Sequence, residues 1–155
     1  MRMNCRNSWV IKDTNMDARA RCELFLDALA LRLGLPALSL NEEDGLALRL
    51  GRHLAELVYS EEMEELASLI RLAPLPGEAG GKERLEALSS LLHGAYAGVG
   101  AGGGVLSLDE EGRVCLARRY ALADDAEGTF LEQFAEQISL ADFWLDALEQ
   151  RRELP

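Results

Sequence analysis

The sequence predicts an α+β fold in which three helices pack against one twisted antiparallel sheet of about five to six strands. Three segments repeat apolar residues at the helical spacing of three and four. Between them, shorter segments alternate apolar and polar residues, as strands with one buried face do. Polar turns ending in glycine join neighbouring strands, so hairpins are expected. The predicted order is α-β-β-β-(β)-α-β-β-α.

The first predicted helix begins after Asp17 and ends at Leu33. Asp is a favoured N-cap residue, and Gly34 followed by Pro36 is typical of a helix C-terminus. Further leucines outside the main stripe widen the apolar surface, so part of this helix is expected to contact a partner. The main stripe consists of Cys22, Phe25, Leu26, Leu29 and Leu33.

The N-terminal segment differs from the rest of the chain. Residues 1–15 are polar and lack periodicity, so we predict a flexible tail ahead of a single domain spanning residues 16–155. Met16, at the boundary, offers an alternative start. No apolar run of signal-peptide length follows the basic residues of the tail.

The first block of strands lies between the first two helices. An Asp-Gly turn at residues 41–45 is predicted to join its first two strands as a hairpin. For the last strand a helix over residues 61–70 is the alternative, because Glu, Met, Leu and Ala favour helices. The apolar alternation favours a strand there. The predicted strands are 38–40, 46–50, 54–59 and 66–72.

Proline and glycine residues over 74–81 end this block. The last helix carries a second apolar line formed by Leu140, Phe143, Trp144 and Ala147, and Trp144 is interpreted as a core residue. The predicted elements of the second half are a helix over 82–97, a flexible glycine-rich connector over Gly98–Gly104, strands over 105–108 and 113–120 around a turn at 109–112, and a helix over 126–149.

Composition limits the classes of function. A formal net charge of −11 and a pI near 4.6 disfavour binding to nucleic acid or to anionic membranes. No apolar segment approaches the roughly 18 residues of a membrane-spanning helix. The three cysteines, Cys5, Cys22 and Cys115, are scattered and form no metal-binding pattern, so they are predicted to be free thiols in a reducing cytoplasm.

No residue pattern points to catalysis. His53 and His93 share no motif and are interpreted as surface or capping residues. The GxGxxG match at residues 98–103 has a helix before it and a strand after it, the reverse of the order that dinucleotide binding requires. The acidic turns are too short for calcium loops. We therefore predict a protein that is not an enzyme and that uses no cofactor or metal.

The order of short motifs resembles that of class I type III secretion chaperones, the Tir-chaperone-like family. The resemblance covers roughly residues 17–150. Its motifs are Leu33-Gly34-Leu35-Pro36, Leu38-Ser39-Leu40 before an acidic Asp-Gly turn, Leu106-Ser107-Leu108-Asp109, and Phe143-Trp144 in the last helix.

This resemblance implies a homodimer in the cytoplasm of a Gram-negative bacterium. Such a protein would bind the N-terminal region of a secreted effector and keep it secretion-competent without ATP. One alternative keeps the fold but makes the chain an anti-activator that binds a transcriptional regulator or another chaperone. A small-ligand-binding domain is a further alternative.

The resemblance also indicates which residues would form the two contacts. The alternative for the stripe on the middle helix is that it packs only on its own sheet. The expected dimer contacts are Leu85, Leu88, Leu92, Tyr96, Val114 and Leu116. The expected effector contacts are Leu24, Leu31, Leu38, Leu40, Leu48 and Leu57.

Overall fold

The computed structural model describes residues 16–153, except for the side chains at 97–99 and 151–153. The predicted tail at residues 1–15 lies outside the described residues, and the alternative start at Met16 stays a prediction. Within the described part the chain forms α1 (Ala18–Leu33), β1 (Gly45–Leu50), β2 (His53–Ser60), β3 (Glu65–Pro74), α2 (Lys82–Ala95), a 3₁₀ helix (Tyr96–Ala101), β4 (Val105–Leu108), β5 (Arg113–Ala121) and α3 (Glu127–Glu153).

All five strands belong to one antiparallel sheet in the order β1-β2-β3-β5-β4. Tight turns join β1 to β2, β2 to β3 and β4 to β5, and such connections allow only antiparallel pairing. β3 and β5 are far apart in sequence but pair along the sheet, with Ile70 opposite Leu116. This arrangement confirms the predicted α+β fold, including the strand at β3.

Both ends of α1 lie where the sequence predicts them. The Asp17 carboxylate accepts a hydrogen bond from the backbone N–H of Ala20 at 2.7 Å, which satisfies one of the free donors of the first turn. At the other end, Gly34 adopts the left-handed conformation, with φ of 71°. The backbone N–H of Leu35 then bonds to the carbonyl oxygen of Ala30.

The predicted strand over residues 38–40 is wrong. These residues adopt no regular secondary structure, although Leu38 and Leu40 pack against the core with half-buried side chains. The turn after them does form, because the Asn41 side-chain oxygen accepts hydrogen bonds from the N–H groups of Glu43 and Gly45. It leads into β1 but does not pair β1 with the preceding segment.

The main core lies between the sheet and helices α1 and α3. Its centre is a group of four rings from α1, β5 and α3, in which Phe25 stacks on Phe130 at 4.9 Å and Tyr120 meets Phe130 edge-on at 5.0 Å. The fourth ring, Phe134, stacks on Phe130 at 5.7 Å. The buried Gln137 amide joins this group by accepting a hydrogen bond from the Tyr120 hydroxyl at 2.6 Å.

A second apolar cluster lies where α2 meets the C-terminal half of α3. It contains Ala87 and Leu91 of α2 and the largely buried Trp144, whose predicted place in the core is confirmed. The Trp144 indole N–H donates a hydrogen bond to the carbonyl oxygen of Gly100 at 2.7 Å.

The glycine-rich connector is packed, so its prediction as a flexible linker is wrong. A Cβ atom at Gly100 would lie 2.5 Å from the carbonyl oxygen of Gly94, and one at Gly104 would lie 2.2 Å from the carbonyl oxygen of Ala117. Glycine is required at both positions because backbone segments approach each other closely. The first half of the connector belongs to the 3₁₀ helix that follows α2.

Candidate protein-binding surfaces

Helix α2 buries little of its apolar surface in its own chain. Only Ala87 and Leu91 are fully buried, and Leu88 is half-buried against the second cluster. Leu85 and Leu92 are 68% and 71% exposed, and Tyr96, directly after the helix, is 81% exposed. We call Leu85, Leu92 and Tyr96 the α2 surface. Large apolar side chains grouped in this way are typical of protein contacts.

Strand β4 lies beside α2 and forms one edge of the sheet. Val105 and Leu108, at its two ends, are exposed. The α2 surface therefore lies near a strand that has a free edge, and a second chain can pair with such an edge.

Two of the residues expected at the dimer contact belong to the core instead. Val114 and Leu116 have no exposed surface, and both lie on β5 between β3 and β4. The sequence predicts this strand from the turn that it flanks, but the run of apolar residues at 114–117 does not reveal which side chains are covered. The structure removes these two residues from the candidate dimer surface.

Helix α1 presents a second apolar surface. Leu31 is 84% exposed and lines an open groove between α1 and α3 together with Ala28 and Leu131. Leu24 is also exposed. Leu38 and Leu40 line a further depression beside Leu26 on the same helix. We call Leu24, Leu31, Leu38 and Leu40 the α1 surface.

The other two expected effector contacts are buried. Leu48 and Leu57 point into the main core, where Leu57 has no exposed surface. They lie on the face of the sheet that the helices cover. The prediction that Leu48 and Leu57 contact an effector is therefore wrong, and both residues belong to the core.

The sequence did not single out Phe143 as a surface residue. Its ring is 61% exposed and meets the buried Trp144 edge-on at 5.4 Å. Together the two rings line a groove with Ala87 and Leu91 of α2. The signal for this groove in the sequence is the second apolar line of α3. That line identifies a groove only once the position of α2 beside it is known.

Polar groups in this part of the fold serve as structural contacts. His53 is buried, contrary to the prediction of a surface or capping role, and its Nε2 lies 2.6 Å from Asp142 Oδ1. Arg52 donates to the same carboxylate and to Asp146, so the β1–β2 turn is held against α3. The hydrogen bonds from His53 and Arg52 lower the pKa of Asp142.

The thiols at Cys22 and Cys115 are buried and free. Burial raises the pKa of Cys22 to about 11 and also raises the pKa of Cys115. A thiol with a raised pKa is a poor nucleophile at neutral pH. Over residues 16–153, apart from the undescribed side chains at 97–99 and 151–153, no three His, Cys, Asp or Glu side chains are grouped so that they could hold a metal ion. No helix in the same range is long and apolar enough to cross a membrane.

Comparison with known protein families identifies the family to which this chain belongs. The family model of the Tir chaperone protein (CesT) family matches residues 24–145, which is most of the chain. The chain belongs to the Tir chaperone family. No curated protein sequence matches it.

Solved structures related to this Tir chaperone family member share its fold along nearly their whole length. A chain of the ExsC–ExsE complex is 25% identical, with a TM-score of 0.69 over 86% of this chain and 97% of that one. A chain of the HopA1–SchA chaperone–effector complex is 18% identical, with a TM-score of 0.65 over 81% and 94%. The Yersinia pestis type III secretion chaperone SycH, solved with a stable fragment of YscM2, gives 19% identity and a TM-score of 0.61 over 79% and 98%.

Proposed function

We propose that this protein is a type III secretion chaperone that binds the N-terminal region of a cognate effector in the bacterial cytoplasm. It keeps that region soluble and secretion-competent without ATP. The observation that carries the proposal is the pair of uncovered apolar surfaces on α1 and α2, found in a member of the Tir chaperone family. The proposal includes no catalytic step, cofactor or metal.

The α2 surface is assigned to the homodimer contact. An isologous contact brings the same residues of two copies together, so one compact apolar stripe covers itself. Leu88 lies beside this stripe and adds its half-buried side chain. Removing these side chains from water favours association by about 25 cal/mol for each Å² of apolar surface buried.

The α1 surface is assigned to the effector. Leu24 and Leu31 supply exposed apolar side chains, and the open groove beside Leu31 can accept an apolar side chain of the bound segment. Strand β1 is the other free edge of the sheet, and an extended segment can hydrogen-bond to such an edge. Contacts spread over a large surface offset the conformational entropy lost when a disordered segment becomes ordered.

The test is affinity capture of the full chain from lysate of its native bacterium, followed by mass spectrometry and native mass measurement of the complex. The expected result is one secreted protein, held through its N-terminal segment by two copies of this chain. A transcriptional regulator or another chaperone in its place would support the anti-activator alternative. A single copy without any bound protein would contradict both and favour a small ligand.

Two matched substitutions separate the two surfaces. Leu92→Glu places a charge on the α2 surface and is expected to give a folded monomer by light scattering. Leu31→Glu places the same charge on the α1 surface, so the chain is expected to stay dimeric and to bind the effector about tenfold more weakly or worse. The assignment is wrong if Leu31→Glu dissociates the dimer while Leu92→Glu leaves it intact.

A further inference from the structure

The depression beside Leu26 on the α1 surface combines apolar and acidic side chains. We call it the Leu26 depression. Leu26 itself is buried, whereas Leu38 and Leu40 are half-buried, so apolar surface is left open to a further side chain. The depression encloses about 300 Å³ and is lined by Arg19, Glu23, Leu26, Asp27, Leu38, Ser39 and Leu40.

Carboxylates without an ion-pair partner surround this depression. Glu23 and Asp27 are exposed, lie one turn apart on α1 and pair with no cation among the described residues. The two glutamates at residues 42–43, in the turn that follows the lining, are exposed and also have no such partner in the described part of the chain. Arg19 supplies a positive charge to the lining, but it already pairs with Asp44 at 3.1 Å. The depression therefore attracts a cationic segment.

The N-terminal segment of the same chain has the complementary composition. Residues 1–15 contain three basic residues and one acidic residue, although the whole chain has a net charge of −11. Their apolar run is Trp9-Val10-Ile11, and Lys12 follows it directly. An indole ring combines a large apolar area with one polar N–H group, which suits a lining that is partly apolar and partly polar. The segment therefore offers an apolar group to the leucines and positive charge to the carboxylates.

The length of the segment allows this contact within one chain. Trp9 lies seven positions before Met16, where the described part begins, and seven extended residues span up to about 24 Å. Glu23, in the middle of the depression, is five residues beyond Ala18, or about 8 Å along the axis of α1. A segment joined to the start of α1 can therefore turn back and reach the depression. Because the connection is short, its effective concentration is of millimolar order, and a weak contact is enough.

We propose that residues 9–11 bind in the Leu26 depression of their own chain, with the Trp9 indole ring against the leucines and the basic side chains facing the carboxylates. The segment then covers part of the α1 surface and competes with an effector for it. This consequence rests on the proposed function, whereas the binding of the segment does not. A chain that starts at Met16 would lack the competing segment and would bind an effector more tightly.

Tryptophan fluorescence of the full-length chain tests this contact without any effector. The chain has two tryptophans, Trp9 and Trp144, so subtracting the spectrum of a Trp9→Phe variant gives the emission of Trp9. Trp9 is expected to emit at a shorter wavelength, and to be quenched less by acrylamide, than in the chain unfolded by urea. Glu23→Lys replaces an attractive charge with a repulsive one and should lower the ratio of bound to free Trp9 about fivefold. Added salt should act in the same direction.

Glu110→Lys is the matched control. Glu110 is exposed in the β4–β5 turn, at the end of the sheet opposite the turn that carries residues 42–43. Its substitution changes the charge equally and should leave the emission and quenching of Trp9 unchanged. Circular dichroism checks that both variants are folded.

Three results would overturn the proposal. Equal effects of Glu23→Lys and Glu110→Lys would indicate only the overall charge. Emission and quenching of Trp9 that match those of the unfolded chain would show that its ring stays in water. Loss of protection on dilution would place the segment on a second copy instead. If protection is found but affinity capture recovers no secreted protein, the proposed function fails while this contact stands.

Discussion

Helices α1 and α2 have similar lengths and leucine contents but opposite relations to the core. α1 has 16 residues with five leucines, and six of its residues are buried. α2 has 14 residues with four leucines, and only two of its residues are buried. α1 also has a side-chain N-cap, whereas Gly81 before α2 provides none.

The difference in burial indicates which contacts stabilise each helix. Full burial of a leucine side chain contributes about 1.5–3 kcal/mol, so α1 is stabilised mainly by its own chain. α2 buries only one large apolar side chain, Leu91, and keeps only a narrow contact with α3 and β4, whereas α1 buries a phenylalanine and two leucines. The remaining apolar surface of α2 is available to a second copy, and covering it there would stabilise the helix.

The largest effect is expected from breaking the contact that holds α1. Phe130→Ala removes the ring that stacks on Phe25 and leaves a cavity among the four aromatic side chains, so the free energy of unfolding should fall by about 3–5 kcal/mol. Urea unfolding at a fixed protein concentration measures this. Phe143→Ala, on the same helix but mostly exposed, is the control and should cost about 1 kcal/mol or less. Equal losses would show that the ring cluster is not the anchor of α1.

The second-largest effect on stability is expected where α2 packs against Trp144. Gly94 lies against the Trp144 ring, and a Cβ atom there would come within 2.3 Å of it. Gly94→Ala should therefore displace Trp144 and lower the free energy of unfolding by about 1–2 kcal/mol, despite the higher helix propensity of alanine.

Ser89→Ala on the exposed side of α2 is the control and should change stability by less than about 0.5 kcal/mol. Tryptophan fluorescence should shift in Gly94→Ala and stay constant in Ser89→Ala. A Gly94→Ala protein with higher stability and unchanged fluorescence would contradict the close packing of Trp144 against α2.

A smaller effect is expected at the start of α1. Asp17→Ala removes the hydrogen bond to Ala20 and should lower the free energy of unfolding by about 1 kcal/mol. Asp27→Ala, in the exposed middle of the same helix, removes the same charge without removing a cap. Urea unfolding should therefore separate the two variants. Equal destabilisation would assign the effect to charge rather than to capping.

The smallest expected effect is on reactivity and leaves stability unchanged. In a Cys5→Ser variant, Cys22 on the buried side of α1 should react slowly with a thiol reagent at pH 8, because burial raises its pKa to about 11 and shields the sulfur. Denaturant should accelerate labelling strongly, as followed by mass spectrometry of the Cys22 peptide. Rapid labelling of the native protein would mean that α1 opens readily.

Local signals predicted most of the fold. Asp17 and Gly34 located both ends of α1, because capping depends on residues adjacent in sequence. The strand predicted at 38–40 failed for the opposite reason. Three alternating residues cannot indicate whether a neighbouring strand will accept their hydrogen bonds, and no strand lies beside them.

The candidate surfaces were only partly predictable. Adjacent apolar residues in β2 and β5 do not distinguish the covered face of the sheet from the open face, so Leu57 and Leu116 were placed at a surface although both are buried. The packing of the glycine connector depends on Trp144, which is 44 residues from Gly100.

The contact between Phe25 and Phe130 also bears on how the protein is made. Phe25 and Phe130 are 105 positions apart, and α1 is fully packed only when their rings are in contact. The hydrogen bond of His53 likewise requires Asp142, which is 89 positions later in the chain. A ribosome releases the chain from its N-terminus, so α1 and the β1–β2 hairpin emerge before the helix that completes them. The α1 surface is therefore presented in its final form only once α3 has been synthesised. A partner protein synthesised at the same time would encounter a nascent chain in which this surface has not yet formed. The partner would therefore bind only to chains whose synthesis is complete.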